Sequence, residues 1–231
     1  MKSTLRRIAA YLPERCQLRL KRLYYPLQIR TGCFSDPARH YQLLESLVSS
    51  GDWVLDIGAH VGHHTAKLSS IVGKDGRVIA LEPVPATFKL LVSNSSHFRF
   101  SNVTLLNVAA SDQPRLAGMK IPKFGRWLDF YMARLCSDDV DLKVLCTTID
   151  SLAIPHHVSL AKIDTEGHDH LVLRGMKELL ERDHPILIIE ERSAEIYDFL
   201  EGFGYLREHV LDADNLVFYP MDKLDGANPI L

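Results

Sequence analysis

Acidic side chains close three of the chain's apolar runs, and they carry its most legible chemistry. Asp56 follows Trp53-Val54-Leu55, Glu82 follows Arg77-Val78-Ile79-Ala80-Leu81, and Asp164 with Glu166 follows the run from Val158 to Ile163. Just beyond Asp56 stand two glycines four positions apart, Gly58 and Gly62. Glycine at such a strand-to-helix turn lets the backbone approach a nucleotide-like ligand without interference from a Cβ. An acidic side chain ending the second strand is where nucleotide-binding α/β sheets hold a ribose diol. A dinucleotide fingerprint starting at Gly58 needs glycines at positions 60 and 63. Both are histidines, His60 and His63, which disfavours an NAD-dependent oxidoreductase.

The pattern Asp56-x-Gly58-x-x-x-Gly62 is instead similar to motif I of the class I S-adenosylmethionine (SAM) methyltransferases. SAM has no diphosphate, so it does not require the dense glycine turn. It carries an ammonium, a sulfonium and a ribose diol, and carboxylates suit all three by charge or hydrogen bonding.

These residues need a sheet to hold them, and the order of elements supplies one. Residues 39–50 carry apolar positions at helical spacing, with Gly51 expected to end that helix. A strand at 53–57, a helix at 63–71 and a Gly-Lys-Asp-Gly turn at 73–76 follow. A second strand at 77–82 leads to a helix starting near Pro85, a favoured early helical position, and then to a third strand at 103–108. The fourth strand at 158–163 precedes a helix over 171–182, and the fifth, 185–189, is wholly apolar as a central parallel strand should be. A helix at 193–202 and strands near 205–210 and 215–219 complete the alternation. Strands interleaved with helices imply a three-layer α/β fold around a mainly parallel seven-stranded sheet. In such a sheet ligands lie beyond the carboxyl ends of the strands, so Asp164 and Glu166 face the same crevice as Asp56 and Glu82.

Residues 112–155, between the third and fourth strands, interrupt the rhythm as an irregular insertion. They offer turn residues, the aromatics Phe124, Trp127, Phe130 and Tyr131, and a strand-like stretch at 143–148. Two readings stand side by side: a segment that shapes a substrate cleft, or a β-hairpin that covers a sheet edge.

The 231 residues suffice for one full core, and 46% hydrophobic with 24% charged residues are ordinary globular values. The net charge of −2 argues against a nucleic-acid binder. Charge is unevenly placed: residues 1–30 hold eight Lys/Arg against the single acid Glu14. Their apolar run is too short for a secretory signal or a membrane span. A basic helical extension over 1–38 is therefore expected ahead of the main domain, 39–231. It is either a solvated flank or a peripheral contact with an anionic membrane or another acidic partner. Cys16, Cys33, Cys136 and Cys146 show no paired spacing and read as reduced thiols of a cytoplasmic protein.

Lys162-Ile163-Asp164-x-Glu166-Gly167-x-Asp169-x-x-Val172-Leu173-x-Gly175 resembles the signature of the FkbM-type SAM-dependent methyltransferases. The motif I residues, Glu82-Pro83, Asn107-Val108-Ala109-Ala110-Ser111-Asp112 and Thr148-Ile149-Asp150-Ser151-Leu152 match in the right order, so the resemblance spans roughly residues 39–192. It implies a Rossmann-like enzyme that methylates hydroxyl oxygens of sugars, glycolipids, polysaccharides or other natural products. Asp56, Gly58, Ala59 and Gly62 would hold the methionine end and Glu82 the ribose. Asn107, Ala109, Ser111 and Asp112 would flank the adenine, and Asp164 and Glu166 would line the reacting centre. Two positions depart from the family pattern: His60 stands where Asn is frequent, and Asp169 where a longer Glu is. A catalytically silent module assembling with glycosyltransferases is the alternative of a different class. Retention of Asp56, Glu82 and Asp164 argues against it.

Methyl transfer from a sulfonium is an in-line displacement, so alignment supplies most of the rate. An alcohol oxygen also needs a base at about 3 Å, worth on the order of 10²–10⁴-fold. Asp164, Glu166 and His168 are the candidates in that order; capping of the next helix and bonding of loop amides are the competing roles of the two carboxylates. His168 and His170 bracket Asp169, but neighbours two apart on a helix diverge, so no metal is assigned to them; Asp164 with Glu166 could hold a divalent cation of the kind some O-methyltransferases use to acidify the hydroxyl, and that alternative stays open.

Overall fold

The computed structural model describes residues 14–124, 127–128, 130–210 and 215–221. In chain order the first half runs α1 (Glu14–Arg30), α2 (Arg39–Leu47), β1 (Trp53–Ile57), α3 (His63–Val72), β2 (Arg77–Leu81), α4 (Pro85–Ser95) and β3 (Val103–Leu106). Short strands follow: β4 (Ala109–Ala110), β5 (Arg115–Lys120), β6 (Lys123–Phe124), β7 (Trp127–Leu128), β8 (Arg134–Cys136) and β9 (Leu142–Thr147). The second half runs β10 (Val158–Ile163), α5 (Asp169–Arg174), α6 (Lys177–Asp183), β11 (Ile186–Ile189), α7 (Ala194–Glu201), β12 (Tyr205–Val210) and β13 (Leu216–Pro220).

The main sheet has the order β12-β13-β11-β10-β1-β2-β3. Its pairings are parallel from β11 through β10, β1 and β2 to β3, whereas β13 is antiparallel to both β11 and β12. β1 lies between β2 and β10, which are distant in sequence. The connections from these strands leave in opposite directions, and a crevice opens beyond their carboxyl ends.

The two-residue period of each strand builds the layers. Leu55, Ile79, Ala161 and Leu187 face the side chains of α5, α6 and α7, including Val172, Leu180 and Ile196. Val54, Val78, Leu160 and Ile188 face Leu44 of α2 and Leu68 and Val72 of α3. Asp56 and Lys162 share the parity of this second set, so two ionisable side chains enter the α2–α3 layer among aliphatic ones.

Several boundaries differ from the sequence expectation. The helix expected over 39–50 ends at Leu47: Val48 turns to extended backbone and packs into the core, and Gly51 donates instead to the Val72 carbonyl. β2 stops at Leu81 and β3 at Leu106, releasing Glu82, Asn107 and Val108 into the crevice loops. The single helix expected over 171–182 is two. A Cβ on Gly175 would lie 2.0 Å from the Ser111 carbonyl oxygen, so the chain turns there against another loop. The Asp150 carboxylate then accepts the amides of Glu178 and Leu179, both at 3.1 Å, and starts α6 anew.

The insertion joins β4, just ahead of it, in a four-stranded sheet, β4-β9-β5-β8, with β6 and β7 paired beside it. Met119, Ile121, Ala133 and Val144 pack with Val84 and Ala109, so this small sheet buries its inner face beside the crevice. The side chains of Phe124 and Trp127, and the basic stretch 5–12, lie outside the described residues. Among the described residues no helix is long and apolar enough to cross a membrane.

Candidate active site

The turn after β1 takes its shape from alternate residues. Gly58, His60 and Gly62 have φ of 83°, 49° and 95°, the left-handed region that glycine enters freely and that histidine, with asparagine, tolerates better than most side chains. Space matters as well: a Cβ on Gly58 would lie 1.8 Å from the Asp164 carbonyl oxygen, and one on Gly62 would lie 2.6 Å from Leu91. The amides of Gly58 and Ala59 both donate to the Leu81 carbonyl, at 3.0 and 2.9 Å.

Glu82 ties this turn to the end of β2. One carboxylate oxygen accepts the His60 amide at 2.9 Å and the other accepts the Val84 amide at 2.8 Å. Burial pushes its carboxyl up to about 7 despite those two donors. Asn107 steadies the same segment from behind, its side-chain amide donating to the carbonyls of Glu82 at 2.7 Å and Pro83 at 3.0 Å.

The second cluster centres on Lys162, which is only 1% exposed. Across the β1–β10 pairing Lys162 sits opposite Asp56, and its ammonium lies 2.8 Å from an Asp164 carboxylate oxygen. Burial pulls Lys162 down, but the Asp164 and Asp56 charges outweigh it and leave the amine above its ordinary value. Burial likewise opposes ionisation of Asp164, and Lys162 overcomes it, holding that carboxyl below the usual range. Asp56, wholly buried, is raised by desolvation; one oxygen accepts the Thr65 hydroxyl at 2.6 Å and the other finds no partner in the structure.

Glu190, one residue past β11, joins this group. Oxygens of Asp164, Glu166 and Glu190 all lie within 4.8 Å of one another. Glu190 is hydrogen-bonded to Asp164, and burial followed by the Asp164 charge pushes it up to about 8. At neutral pH the pair therefore shares one proton, carried on Glu190. The spacing of the three carboxyls would suit a divalent cation, but the positive charge there is supplied by the Lys162 ammonium, and we assign no metal.

A cavity of about 160 Å³ joins the two clusters. Gly58, Ala59, His60, Glu82, Ala109, Asp164, Glu166 and His168 line it, with Met119, Phe130 and Tyr131 of the insertion. The His60 ring lies 3.7 Å from that of Tyr131, and burial pushes its imidazole down to about 3. Asp56, Gly62, Asn107, Ser111 and Asp112 are not on the wall. Asp56 anchors α3 through Thr65, Asn107 holds the loop after β2 from behind, and Gly62 gives α4 room. Ser111 donates to Asp112 at 2.9 Å and meets His168 Nε2 at 3.0 Å. Burial pushes His168 down to about 4, so it is a neutral imidazole near pH 7. Asp169 points away from the cavity: it accepts the Thr165 amide and hydroxyl and the Glu191 amide, stapling the β10 loop to the β11 loop.

Sequence reasoning missed Lys162 and Glu190. Glu190 follows an apolar strand as Asp56 and Glu82 do, so the same strand-end signal marks it. Lys162 is a charge inside an otherwise apolar strand, in register with an acid on the neighbouring strand. Only the pairing reveals that.

Residues 56–216 match the model of the Methyltransferase FkbM domain. The crystal structure of methyltransferase FkbM from Methylobacillus flagellatus KT superposes with a TM-score of 0.57 at 19% identity, covering 84% of this chain and 50% of that one. A putative rRNA-methylase from Clostridium thermocellum gives 0.51 at 13% identity, covering 80% and 95%. These two likenesses concern the fold alone. A protein-L-isoaspartate O-methyltransferase of Methanococcus aeolicus is 36% identical over 59 residues, 26% of this chain and 27% of that protein. The chain thus spans half the length of the FkbM relative and about a quarter of the curated one.

Proposed function

The chain belongs to the FkbM methyltransferase family, and we propose that it is a SAM-dependent methyltransferase acting on a hydroxyl oxygen of a sugar, glycolipid, polysaccharide or other natural product. Its family sets aside the dinucleotide-dependent oxidoreductase.

The residues fit the cofactor. Each Glu82 oxygen accepts one backbone amide and keeps a further lone pair, and burial has left that carboxyl short of donors. A ribose diol supplies two. The close approach of Gly58 to Asp164 brings the cofactor turn against the carboxyl cluster. When bound, SAM supplies a methyl group on a cationic sulfur.

The observation that carries the proposal is the group Asp164, Glu166 and Glu190, of which Asp164 and Glu166 line the cavity and Glu190 lies directly beside them. A hydroxyl acceptor needs its proton removed during attack, which a positioned carboxylate does; an amine that reacts as its free base has no such need. Glu166 and Asp164 are the proposed proton acceptors, and Glu190, by sharing its proton with Asp164, sets how much charge that pair carries. His168 is held to Ser111 and serves to place the β10 loop beside the adenine-side segment 107–112. The test is single-turnover methyl transfer by Glu166→Gln and Asp164→Asn. Loss of turnover with retained SAM binding supports the roles, and full turnover in both removes them. SAM binding without methyl transfer to any hydroxyl would favour the silent assembly module.

For partners, we propose peripheral attachment of α1 to an anionic membrane on the cytoplasmic side, where thiols stay reduced. The inner face of α1 packs Leu18, Tyr25 and Ile29 with Phe34 and Leu90. On the opposite face Leu20, Leu23, Tyr24 and Leu27 form a one-sided stripe and are 47–75% exposed. The helix sequence holds five Lys/Arg and one acid, Glu14, the composition of an interfacial helix.

A further inference from the structure

A groove separate from the cofactor cavity lies between α1, the start of α4 and the insertion sheet, with a volume of about 540 Å³. Its apolar walls include Leu18, Leu90, Ile121 and Leu142, and Val84 and Phe130 are common to groove and cavity. Arg22, Lys89, Lys123 and Lys143 stand around it with one acid, Asp141. That acid is already engaged: it accepts the Ile121 amide at 2.9 Å and lies 3.4 Å from Lys120 and 3.5 Å from Lys123. Arg22, Lys89 and Lys143 make no ion pair or side-chain hydrogen bond with a described residue. A chain with a formal charge of −2 therefore concentrates cations from four separate elements around one apolar hollow. Mutual repulsion makes this arrangement unfavourable unless an anion fills it.

We propose that this groove binds a phosphate-type anion carried by the methyl acceptor, whose apolar portion rests on Leu18, Leu90, Ile121 and Leu142. The inference rests on the acceptor reading above and deepens it: the acceptor is a phosphorylated amphiphile or sugar phosphate rather than a neutral glycan. Arg22 offers a planar fork for two phosphate oxygens, and the lysines supply point charges that tolerate varied headgroups. The residues shared with the cavity place the anion beside the cofactor while leaving the carboxyl cluster free for the hydroxyl.

The test uses the full chain and three probes, inorganic phosphate, glucose 1-phosphate and phosphatidylcholine vesicles doped with phosphatidic acid, each titrated calorimetrically. Saturable binding of at least one probe is expected, weakened tenfold or more in Lys89→Glu/Lys143→Glu and in the milder Lys89→Gln/Lys143→Gln. Lys177→Glu, a single charge reversal of the same kind on α6 away from the groove, should bind as the native chain does. Binding of the soluble phosphates assigns the group to a free sugar phosphate; binding of doped vesicles alone, weakened in the Lys89/Lys143 variants, assigns it to a lipid, whereas vesicle binding those variants keep belongs to the α1 stripe and overturns the groove. No saturable binding, or equal loss in Lys177→Glu, overturns the proposal. SAM affinity measured on the same samples separates the two readings: failure of the phosphate probes with intact SAM binding sinks the groove and leaves the methyltransferase standing.

Discussion

The carbonyl oxygen of Asp164 occupies the space that a side chain on residue 58 would need, 1.8 Å from the ideal Cβ position of Gly58. One contact thus couples the glycine turn after β1 to the carboxyl cluster of β10. Gly58→Ala must push those strand ends apart and hold a φ of 83° with a Cβ. The combined cost is about 2–5 kcal/mol from overpacking and left-handed strain. Chemical denaturation should show that loss, with SAM binding abolished. A variant as stable as the native chain would refute the close approach.

Glu82→Ala removes both amide acceptors and the diol partner. SAM affinity should fall by about 1.5–3 kcal/mol, the scale of hydrogen bonds to a charged group. Unchanged affinity in a folded variant takes Glu82 out of the site.

Lys162→Met leaves Asp164 and Asp56 without their shared counter-ion. Breaking a buried pair from one side costs about 3–5 kcal/mol. The double variant Lys162→Met/Asp164→Asn should recover part of that loss. Recovery of none would show that the pair is not coupled.

The stability of the ligand-free protein should depend on pH in a definite direction. Glu82 and Glu190 titrate near 7 and 8 in the fold against an ordinary 4.5, so the native state keeps protons that the unfolded chain has released. Their stabilising share is whole below pH 4.5 and is lost as pH rises through 7 and 8. His60 and His168, lowered to about 3 and 4, act oppositely: the unfolded chain takes up protons below 6.5 that the fold refuses. The melting temperature should therefore decline above pH 6.5 and again below 4.5. Glu190→Gln should flatten the upper limb, and an unchanged upper limb would contradict the proton on Glu190.

Vesicle sedimentation checks the α1 stripe. Binding should require anionic lipid, weaken as salt rises, and fall sharply in Leu23→Ser/Leu27→Ser. Equal sedimentation with neutral vesicles would refute an electrostatic contact.

Much of this fold was legible because central strands declare themselves. Trp53–Ile57, Arg77–Leu81 and Val158–Ile163 are apolar runs ended by acids, and their order fixes the layers. The break at Gly175 was not legible, because it arises from a close approach to Ser111, a residue far away in sequence. Asp169 read only as a shorter carboxylate where the family signature has Glu, yet its environment is three donors from two loops, which no local pattern displays. The roles of Lys162 and Glu190 depend on which strands are neighbours, information that resides in the pairing of β10 with β1 and β11.

The central claim is methyl transfer from SAM to a hydroxyl oxygen at the Asp164–Glu166–Glu190 cluster. Its most direct test is incubation of the full chain with methyl-¹³C-labelled SAM and a pool of sugar phosphates, glycolipids and polysaccharides, read by carbon NMR of the products. The label should appear as a methyl ether, and Glu166→Gln and Asp164→Asn should form it roughly 10²-fold more slowly while binding SAM normally. Label on nitrogen or sulfur, or ether formation at the native rate in both variants, would contradict it.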